Sequence, residues 1–160
     1  MELRERVAFV TGGAQGIGAA TARALSRRGA HVAIGDVQEE RARELAESLP
    51  GEGLAIAMDV RETEAVGAAV AATVERFGSL DLLVNNAGVG EPRPIHQLDE
   101  EAWQRTLDVN LTGPFRMVKA ALPELRRGRG HIVTVASMAA RVWAPTLGHY
   151  SASKAGVAAF

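Results

Sequence analysis

The chain of 160 residues contains no cysteine and few aromatic residues. The lack of cysteine excludes a disulfide framework, a thiolate nucleophile and a cysteine-liganded metal site. Aromatic residues make up only 4% of the sequence, so Ala, Val, Leu and Ile have to build the core. The histidines, at positions 31, 96, 131 and 149, show no metal-ligand spacing, and we predict no metal site.

The chain also lacks an excess of charge of either sign. Its 18 basic and 19 acidic residues give a net charge of −1, which offers no basic surface to nucleic acid or to an anionic membrane. No apolar run approaches the length of a membrane span, and residues 1–6 are charged, unlike a signal peptide. We therefore expect a soluble, cytoplasmic protein with neither nucleic acid nor membrane as a partner.

Apolar, strand-like runs alternate with helical patterns along the whole chain. The predicted strands are Val7–Val10, Val32–Ile34, Leu54–Met58, Leu80–Val84 and Ile132–Ala136. Each is continuously apolar, which indicates burial on both faces and hence a parallel sheet covered by helices. Because no linker or repeat interrupts the pattern, we predict one α/β domain over residues 1–160, a doubly wound sheet of the Rossmann type with five strands present.

The longest predicted helix begins after Asp99 and reaches about Arg127. The apolar residues expected to face inward are Leu107, Leu111, Val118, Leu122 and Leu125. Pro114 has no N–H group, so the carbonyl of Asn110 cannot receive its usual helical hydrogen bond. The sequence therefore predicts a kink near Asn110, with a carbonyl left available to a water molecule.

A glycine-rich loop joins the first strand to the first helix. Residues 11–18 read Thr-Gly-Gly-Ala-Gln-Gly-Ile-Gly. Glycine lets the backbone approach a pyrophosphate closely, and the helix N-terminus supplies free N–H groups. A purely structural turn is the alternative, but the loop follows a strand, opens a helix and has a carboxylate at a suitable distance, so we predict a dinucleotide site.

That carboxylate is Asp36, which ends the second strand 18 residues after Gly18. At this position a carboxylate can accept hydrogen bonds from the adenosine ribose hydroxyls, and it would repel a 2′-phosphate. Neither Val37 nor Gln15 supplies a cation to offset the repulsion. The sequence predicts NAD(H) rather than NADP(H), the structural alternative being a solvated Asp after a strand.

Tyr150 and Lys154 are four residues apart near the start of the last predicted helix. Residues with this spacing share one helical face. A phenol beside a fixed ammonium can donate and accept a proton near neutral pH. Since Tyr150 is the only tyrosine, we predict that this pair carries the acid–base chemistry.

Together these motifs resemble those of the short-chain dehydrogenase/reductase family. The glycine loop has the spacing Thr-Gly-x-x-x-Gly-x-Gly, and Asn-Asn-Ala-Gly follows the fourth strand at residues 85–88. The resemblance covers all 160 residues. It implies an oxidoreductase that transfers a hydride between NAD(H) and a small secondary alcohol or ketone.

The resemblance also implies roles for individual residues. Its catalytic tetrad falls on Asn110, Ser137, Tyr150 and Lys154. With the glycine loop and Asp36 included, the predicted cofactor-binding residues are Gly12, Gln15, Gly16, Ile17, Gly18, Asp36, Val37, Asp59, Val60, Asn86, Ala87, Gly88, Tyr150 and Lys154. In reduction, Tyr150 would donate the proton, Ser137 would hold the carbonyl oxygen, and Lys154 would stabilise the phenolate and bind the nicotinamide ribose.

Substrate contacts are expected from two loops, Val89–Gln97 and Met138–His149, the second of which includes Trp143. Their mixed polarity does not select among the many substrates that such a fold serves. Ser151 and Ser153 are expected to be helix-start residues. The family usually pairs subunits through the long helix and the Tyr/Lys helix, which implies a homodimer or homotetramer.

The resemblance implies a larger sheet than these residues supply. A fold of this type has at least a sixth strand, and only six residues follow Lys154. The fifth strand would then form an exposed apolar edge. Three interpretations are open: part of a longer dehydrogenase, a dinucleotide-binding module with little or no turnover, or a remnant that depends on oligomerisation.

Overall fold

Five parallel strands form the centre of the computed structural model, which describes residues 2–142 and 144–160. The strands are β1 Val7–Thr11, β2 His31–Asp36, β3 Gly53–Ala57, β4 Leu82–Asn85 and β5 His131–Thr134. Their order across the sheet is β3-β2-β1-β4-β5. The predicted five-stranded, doubly wound parallel sheet is confirmed.

Helices cover both faces of this sheet. They are α1 Gly16–Ser26, α2 Glu39–Ser48, α3 Thr63–Phe77, α4 Glu100–Leu107, α5 Gly113–Gly128 and α6 Gly148–Ala159. Side chains of β1 alternate between two apolar clusters: Val7 and Phe9 pack with residues of α3 and α5, whereas Ala8 and Val10 pack with residues of α1 and α2. Burial on both faces explains why the strands are continuously apolar.

The strand order reverses between β1 and β4, which are direct neighbours although β2 and β3 lie between them in the chain. In doubly wound sheets, ligands bind in the crevice at the carboxyl ends of the strands where the order reverses. The loops that leave β1 and β4 therefore form the place where a site is expected.

The long helix after Asp99 consists of three segments. Asp99 caps the first, α4, by accepting a hydrogen bond from the Ala102 N–H at 2.7 Å. A π-helical turn, Asp108–Thr112, separates α4 from α5, and the Gly113 N–H donates to the Asp108 carbonyl five residues earlier. The α-helical hydrogen-bond pattern is thus interrupted near Asn110, where the sequence predicts a kink, and the π turn accommodates the missing N–H of Pro114.

The predicted inward face of this helix is correct in part: Leu125 belongs to the buried core and Val118 packs against it. Of the five residues named, only Leu125 is buried, and the other four are half-buried. The buried face carries instead Val109, Asn110, Gly113, Pro114, Met117, Ala121 and Leu125. Leu111 packs towards Gly156 of α6 rather than towards the sheet.

Strand β5 lies at the edge of the sheet, as predicted. Its residues Ile132 and Val133 are 41% and 49% exposed, in contrast to the buried side chains of β4. Within the described residues, no helix combines the length and the apolar character needed to cross a membrane.

Candidate active site

The glycine loop after β1 packs directly on the segment after β4. Gly12 and Gly16 have φ angles of +60° and +56°, which favour glycine. A Cβ at Gly12 would lie 2.7 Å from the Cα of Ala87, and one at Gly18 would overlap the Gly12 carbonyl oxygen. The backbone here is packed so closely that larger residues would force the loop to move.

Thr11 and Asn86 hold these two segments together. The Thr11 hydroxyl accepts hydrogen bonds from the N–H groups of Asn86 and Ala87, at 3.0 and 3.1 Å. The Asn86 side-chain amide donates to the carbonyls of Thr11 and Gly12, at 3.0 and 2.9 Å. Polar side chains thus fix the floor of the crevice.

A cleft of about 580 Å³ opens above this floor. The predicted cofactor-binding residues that line it are Gly12, Gln15, Ile17, Asp36, Val37, Asp59, Val60, Asn86, Ala87 and Gly88. Gly16, Gly18, Tyr150 and Lys154 are not among its lining residues. Its walls also contain Arg61 and Arg105, which the sequence analysis did not single out.

Asp36 lies at the end of β2 and is buried. One carboxylate oxygen accepts from the Ala14 N–H and the other from the Gln38 N–H, both at 2.9 Å. Each oxygen keeps a further lone pair for a ligand hydroxyl. The glycine loop therefore holds the predicted ribose-binding group in a fixed orientation.

Asp59 is held by an arginine that sequence reasoning missed. The Arg61 guanidinium donates to both oxygens of Asp59, with Nη2 at 2.7 Å and Nε at 2.9 Å from Oδ2. These hydrogen bonds from Arg61 lower the pKa of Asp59. The cleft wall consequently carries an ionised carboxylate whose oxygens are already engaged.

A second missed cation lies beside the Asp36 end of the cleft. Arg41 Nη1 donates to the side-chain oxygens of Gln15 and Gln38, at 2.9 and 2.8 Å. The sequence analysis considered only positions 15 and 37 as sources of positive charge. The position of Arg41 in the first turn of α2 was the available signal, because that turn follows β2 directly.

Lys154, Asn110 and Tyr150 meet around the segment Gly88–Gly90. A Cβ at Gly88 would lie 3.4 Å from Asn110 Oδ1 and 3.5 Å from Lys154 Nζ. A Cβ at Gly90 would overlap the ring of Tyr150. The structure thus brings three of the four predicted catalytic residues to the segment that borders the cleft.

The Lys154 ammonium is buried within this cluster. Its Nζ donates to the Val135 carbonyl at 2.7 Å and lies 5.9 Å from the centre of the Tyr150 ring. Burial lowers the pKa of Lys154, because a low-dielectric surrounding disfavours the charged form.

Ser137 lies three residues after β5, immediately before the short helical turn Met138–Ala140. Its hydroxyl oxygen accepts a hydrogen bond from the Ala139 N–H at 3.2 Å, which leaves the O–H free to donate. Among the described residues, no hydrogen bond links Ser137 to Tyr150 or Lys154. In the described part of the chain, Ser137 is therefore not joined by a hydrogen bond to the cluster of Asn110, Tyr150 and Lys154.

Asn110 contributes its side chain to the site. Its Oδ1 accepts from the Val89 N–H, and its Nδ2 donates to the Val89 carbonyl and to Ser153 Oγ, at 2.8, 2.8 and 2.9 Å. The expectation that Ser153 is a helix-start residue is wrong, because α6 begins at Gly148 and Ser153 lies in its second turn, where it is fully buried. The position of Ser153 three residues after Tyr150 does not indicate that its hydroxyl contacts Asn110.

The two predicted substrate loops meet at a smaller cavity of about 220 Å³. Its lining includes Val89, Gly90, Glu91 and Arg93 from the first loop and His149 from the second. Trp143, which was also predicted to line the pocket, lies outside the described residues. No group of three or more potential metal-ligating side chains occurs in the part of the chain that the structure describes.

Comparison with known proteins gives a consistent family. The sequence profile described as "short chain dehydrogenase" matches residues 6–160. The chain is 47% identical to a cis-4-hydroxycyclohexanecarboxylate dehydrogenase of Sinomonas cyclohexanicum, over 96% of this chain and 64% of that protein. It spans 61–64% of the length of the first curated relatives that it matches.

Solved structures show the same likeness. A short chain dehydrogenase from Mycobacterium smegmatis superposes with a TM-score of 0.94 at 41% identity, covering 99% of this chain and 69% of that one. A carveol dehydrogenase from Mycobacterium avium in complex with NAD gives a TM-score of 0.90 at 35% identity, covering 98% of this chain and 63% of that one.

Replacing Gly18 by alanine tests the close packing of the loop. Because the new Cβ would overlap the Gly12 carbonyl oxygen, we expect NADH affinity to fall at least about tenfold, or about 1.4 kcal/mol, in a calorimetric titration. The control is Gly67→Ala, at a position in α3 where a Cβ meets nothing within 4 Å. Equal affinities in both variants would contradict a ligand-binding role for the loop.

The buried Lys154 predicts a pH-dependent stability. Its lowered pKa means that, from that pKa up to about 10.4, the unfolded chain binds more protons, so folding becomes more favourable as pH rises. We expect the free energy of unfolding of the wild type, relative to Lys154→Met, to increase from neutral pH towards that limit in urea titrations. The control is Lys119→Met on an exposed face of α5; an equal pH dependence there would rule out burial as the cause.

Proposed function

The chain belongs to the family of short chain dehydrogenases, and from that premise we propose that it is an oxidoreductase that moves a hydride between NAD(H) and a secondary alcohol or ketone. In this proposal residues 1–160 form one dinucleotide-binding unit that also carries the catalytic group. The relative at 47% identity is named for the oxidation of a hydroxylated ring acid, which makes ring alcohols the first substrates to test.

One observation carries the proposal: the cleft of about 580 Å³ and the Tyr150–Lys154 pair share the segment Gly88–Gly90. Gly88 lines the cleft and lies against Lys154. Gly90 lies against the Tyr150 ring. A ligand in the cleft and a substrate beside Tyr150 would consequently both border the three-residue segment Gly88–Gly90.

The residues of the cleft fit a dinucleotide. The glycines at positions 12 and 18 let the loop pack where no Cβ would fit. The N-terminus of α1 adds N–H groups that favour a pyrophosphate. Asp36 would accept hydrogen bonds from the adenosine ribose, and its buried carboxylate supports NAD(H) over NADP(H). The chemistry that NAD supplies when bound is the acceptance or donation of a hydride.

Proton transfer falls to this chain's own side chains. In oxidation, Tyr150 accepts the proton of the substrate hydroxyl; in reduction, it donates a proton to the developing alkoxide. Lys154 supplies a positive charge that favours the phenolate, and its link to the Val135 carbonyl keeps the ammonium in place. Ser137, whose O–H is free, would donate to the substrate oxygen.

We also propose that two or more copies associate through α5 and α6. Phe115 and Phe160 are 49% and 60% exposed, and their rings pack edge to face with centroids 6.4 Å apart. These exposed aromatic side chains would be removed from water if α5 and α6 packed against a second copy of the chain. Sedimentation as a monomer at micromolar concentration would contradict the association.

Removing the phenol hydroxyl should separate binding from turnover. In Tyr150→Phe we expect unchanged NADH affinity but a loss of turnover of about 10²- to 10⁴-fold, measured on a panel of ring alcohols and ketones with NAD(H). Retention of activity in the variant would refute the role of Tyr150. NAD binding without turnover by the wild type would favour the alternative, a dinucleotide-binding module.

The cofactor preference has its own test at the end of β2. The double variant Asp36→Ala/Val37→Arg removes the carboxylate and adds a cation, so we expect the ratio of kcat/KM for NADPH to that for NADH to rise by about tenfold or more. The single variant Asp36→Ala separates the loss of repulsion from the gain of charge. An unchanged ratio in the double variant would show that the preference resides elsewhere, Arg41 being the nearest candidate.

A further inference from the structure

A buried chain of hydrogen bonds runs from the segment after β4 to the first turns of α6. Asn110 bonds to both backbone groups of Val89 and donates to Ser153 Oγ at 2.9 Å. Ser153 Oγ in turn donates to the Tyr150 carbonyl at 2.7 Å. Ser153 and Asn110 are 0% and 1% exposed, so bulk water does not compete for these bonds.

The orientation of the Ser153 hydroxyl is fixed by its two partners. Asn110 occupies its acceptor side, and the single O–H therefore points to the Tyr150 carbonyl. A serine that bonds only to its own helix is common and bends the helix slightly. Here the same oxygen also bonds to the π turn, so it joins two elements that are far apart in sequence.

We propose that Ser153 is a positioning residue that holds Tyr150 against the segment Gly88–Gly90. It acts through the Asn110 side chain and the Tyr150 carbonyl and does not touch the reacting atoms. This inference rests on the proposed dehydrogenase function, in which Tyr150 is the proton donor and acceptor. It adds to that function a residue that sets where the phenol stands relative to the cleft.

The close packing of the Tyr150 ring makes its position sensitive to the first turn of α6. A Cβ at Gly90 would overlap the ring, so ring and backbone are in direct contact. An alanine at 153 would leave one Asn110 N–H unpaired in a buried site, and such groups recover a partner by local movement. That movement would shift the turn that carries Tyr150, and a misplacement of about 1 Å can reduce a rate about a hundredfold.

The chain supplies a matched control two residues away. Ser151 lies on the same helix, and its buried Oγ has no hydrogen-bond partner among the residues that the structure describes. Ser151→Ala therefore makes the same chemical change without breaking a hydrogen bond. If buried hydroxyls in α6 matter only for packing, Ser151→Ala and Ser153→Ala should behave alike.

The first measurement is a split of kinetic constants. In Ser153→Ala we expect kcat to fall about 10- to 100-fold and NADH affinity to stay unchanged. The limb of the pH–rate profile that reports Tyr150 should be displaced along the pH axis. Ser151→Ala should retain the wild-type kcat and profile. Wild-type kcat in Ser153→Ala, or an equal loss in both variants, would overturn the proposal.

The second measurement does not require turnover. Because Tyr150 is the only tyrosine, a ¹³C-tyrosine label gives one NMR signal that reports its surroundings. Ser153→Ala should shift or broaden this signal, and Ser151→Ala should leave it in place; an unmoved signal in Ser153→Ala would refute the inference. If the Tyr150 signal shifts only in Ser153→Ala but the wild-type chain turns over no substrate, the proposed function is refuted. The role of Ser153 in positioning Tyr150 is then still supported.

A further variant covers the case in which Ser153→Ala does not fold. Ser153→Cys keeps a small side chain with a weak donor and acceptor, so the NMR signal should move in the same direction by a smaller amount. A Cys variant that folds and leaves both the signal and kcat unchanged would contradict a role that depends on the hydrogen bonds of Ser153.

Discussion

The contact between the glycine loop and the segment after β4 is the constraint on which the remaining geometry depends. Gly12 lies so close to Ala87 that a Cβ would come within 2.7 Å of its Cα. Thr11 and Asn86 reinforce the contact with hydrogen bonds in both directions. Since β1 and β4 are neighbours only because the strand order reverses between them, the sheet topology itself creates this junction.

From this junction the two parts of the site extend in opposite directions along the backbone. The glycine loop leads into α1 and orients Asp36 through the Ala14 N–H. The segment after β4 leads past Gly88 to Val89, whose N–H and carbonyl both form hydrogen bonds with the Asn110 side chain. The cleft and the Tyr150–Lys154 pair are therefore connected through the same few residues.

Sequence reasoning recovers those features that are encoded locally. Continuous apolar runs predict the parallel sheet, and the spacing of glycines, Asp36, Tyr150 and Lys154 predicts most of the site. It fails where a side chain's role depends on a distant partner: Arg61 engages Asp59, Arg41 bridges two glutamines, and Ser153 meets Asn110. It is incomplete for the long helix, because a pattern of large apolar residues overlooks a buried face made partly of Asn110, Gly113 and Pro114.

The burial of Lys154 shows which of these features is retained at a cost in stability. An ammonium group loses hydration when it is buried, and a buried charge in a protein is usually paired with an opposite charge. Among the described residues, Lys154 has no salt-bridge partner, and its one hydrogen bond goes to the neutral carbonyl of Val135. A buried, uncompensated charge with a shifted pKa beside a cleft is typical of functional sites rather than of structural cores. The buried charge that costs hydration is thus the one to which the proposal assigns the stabilisation of the Tyr150 phenolate.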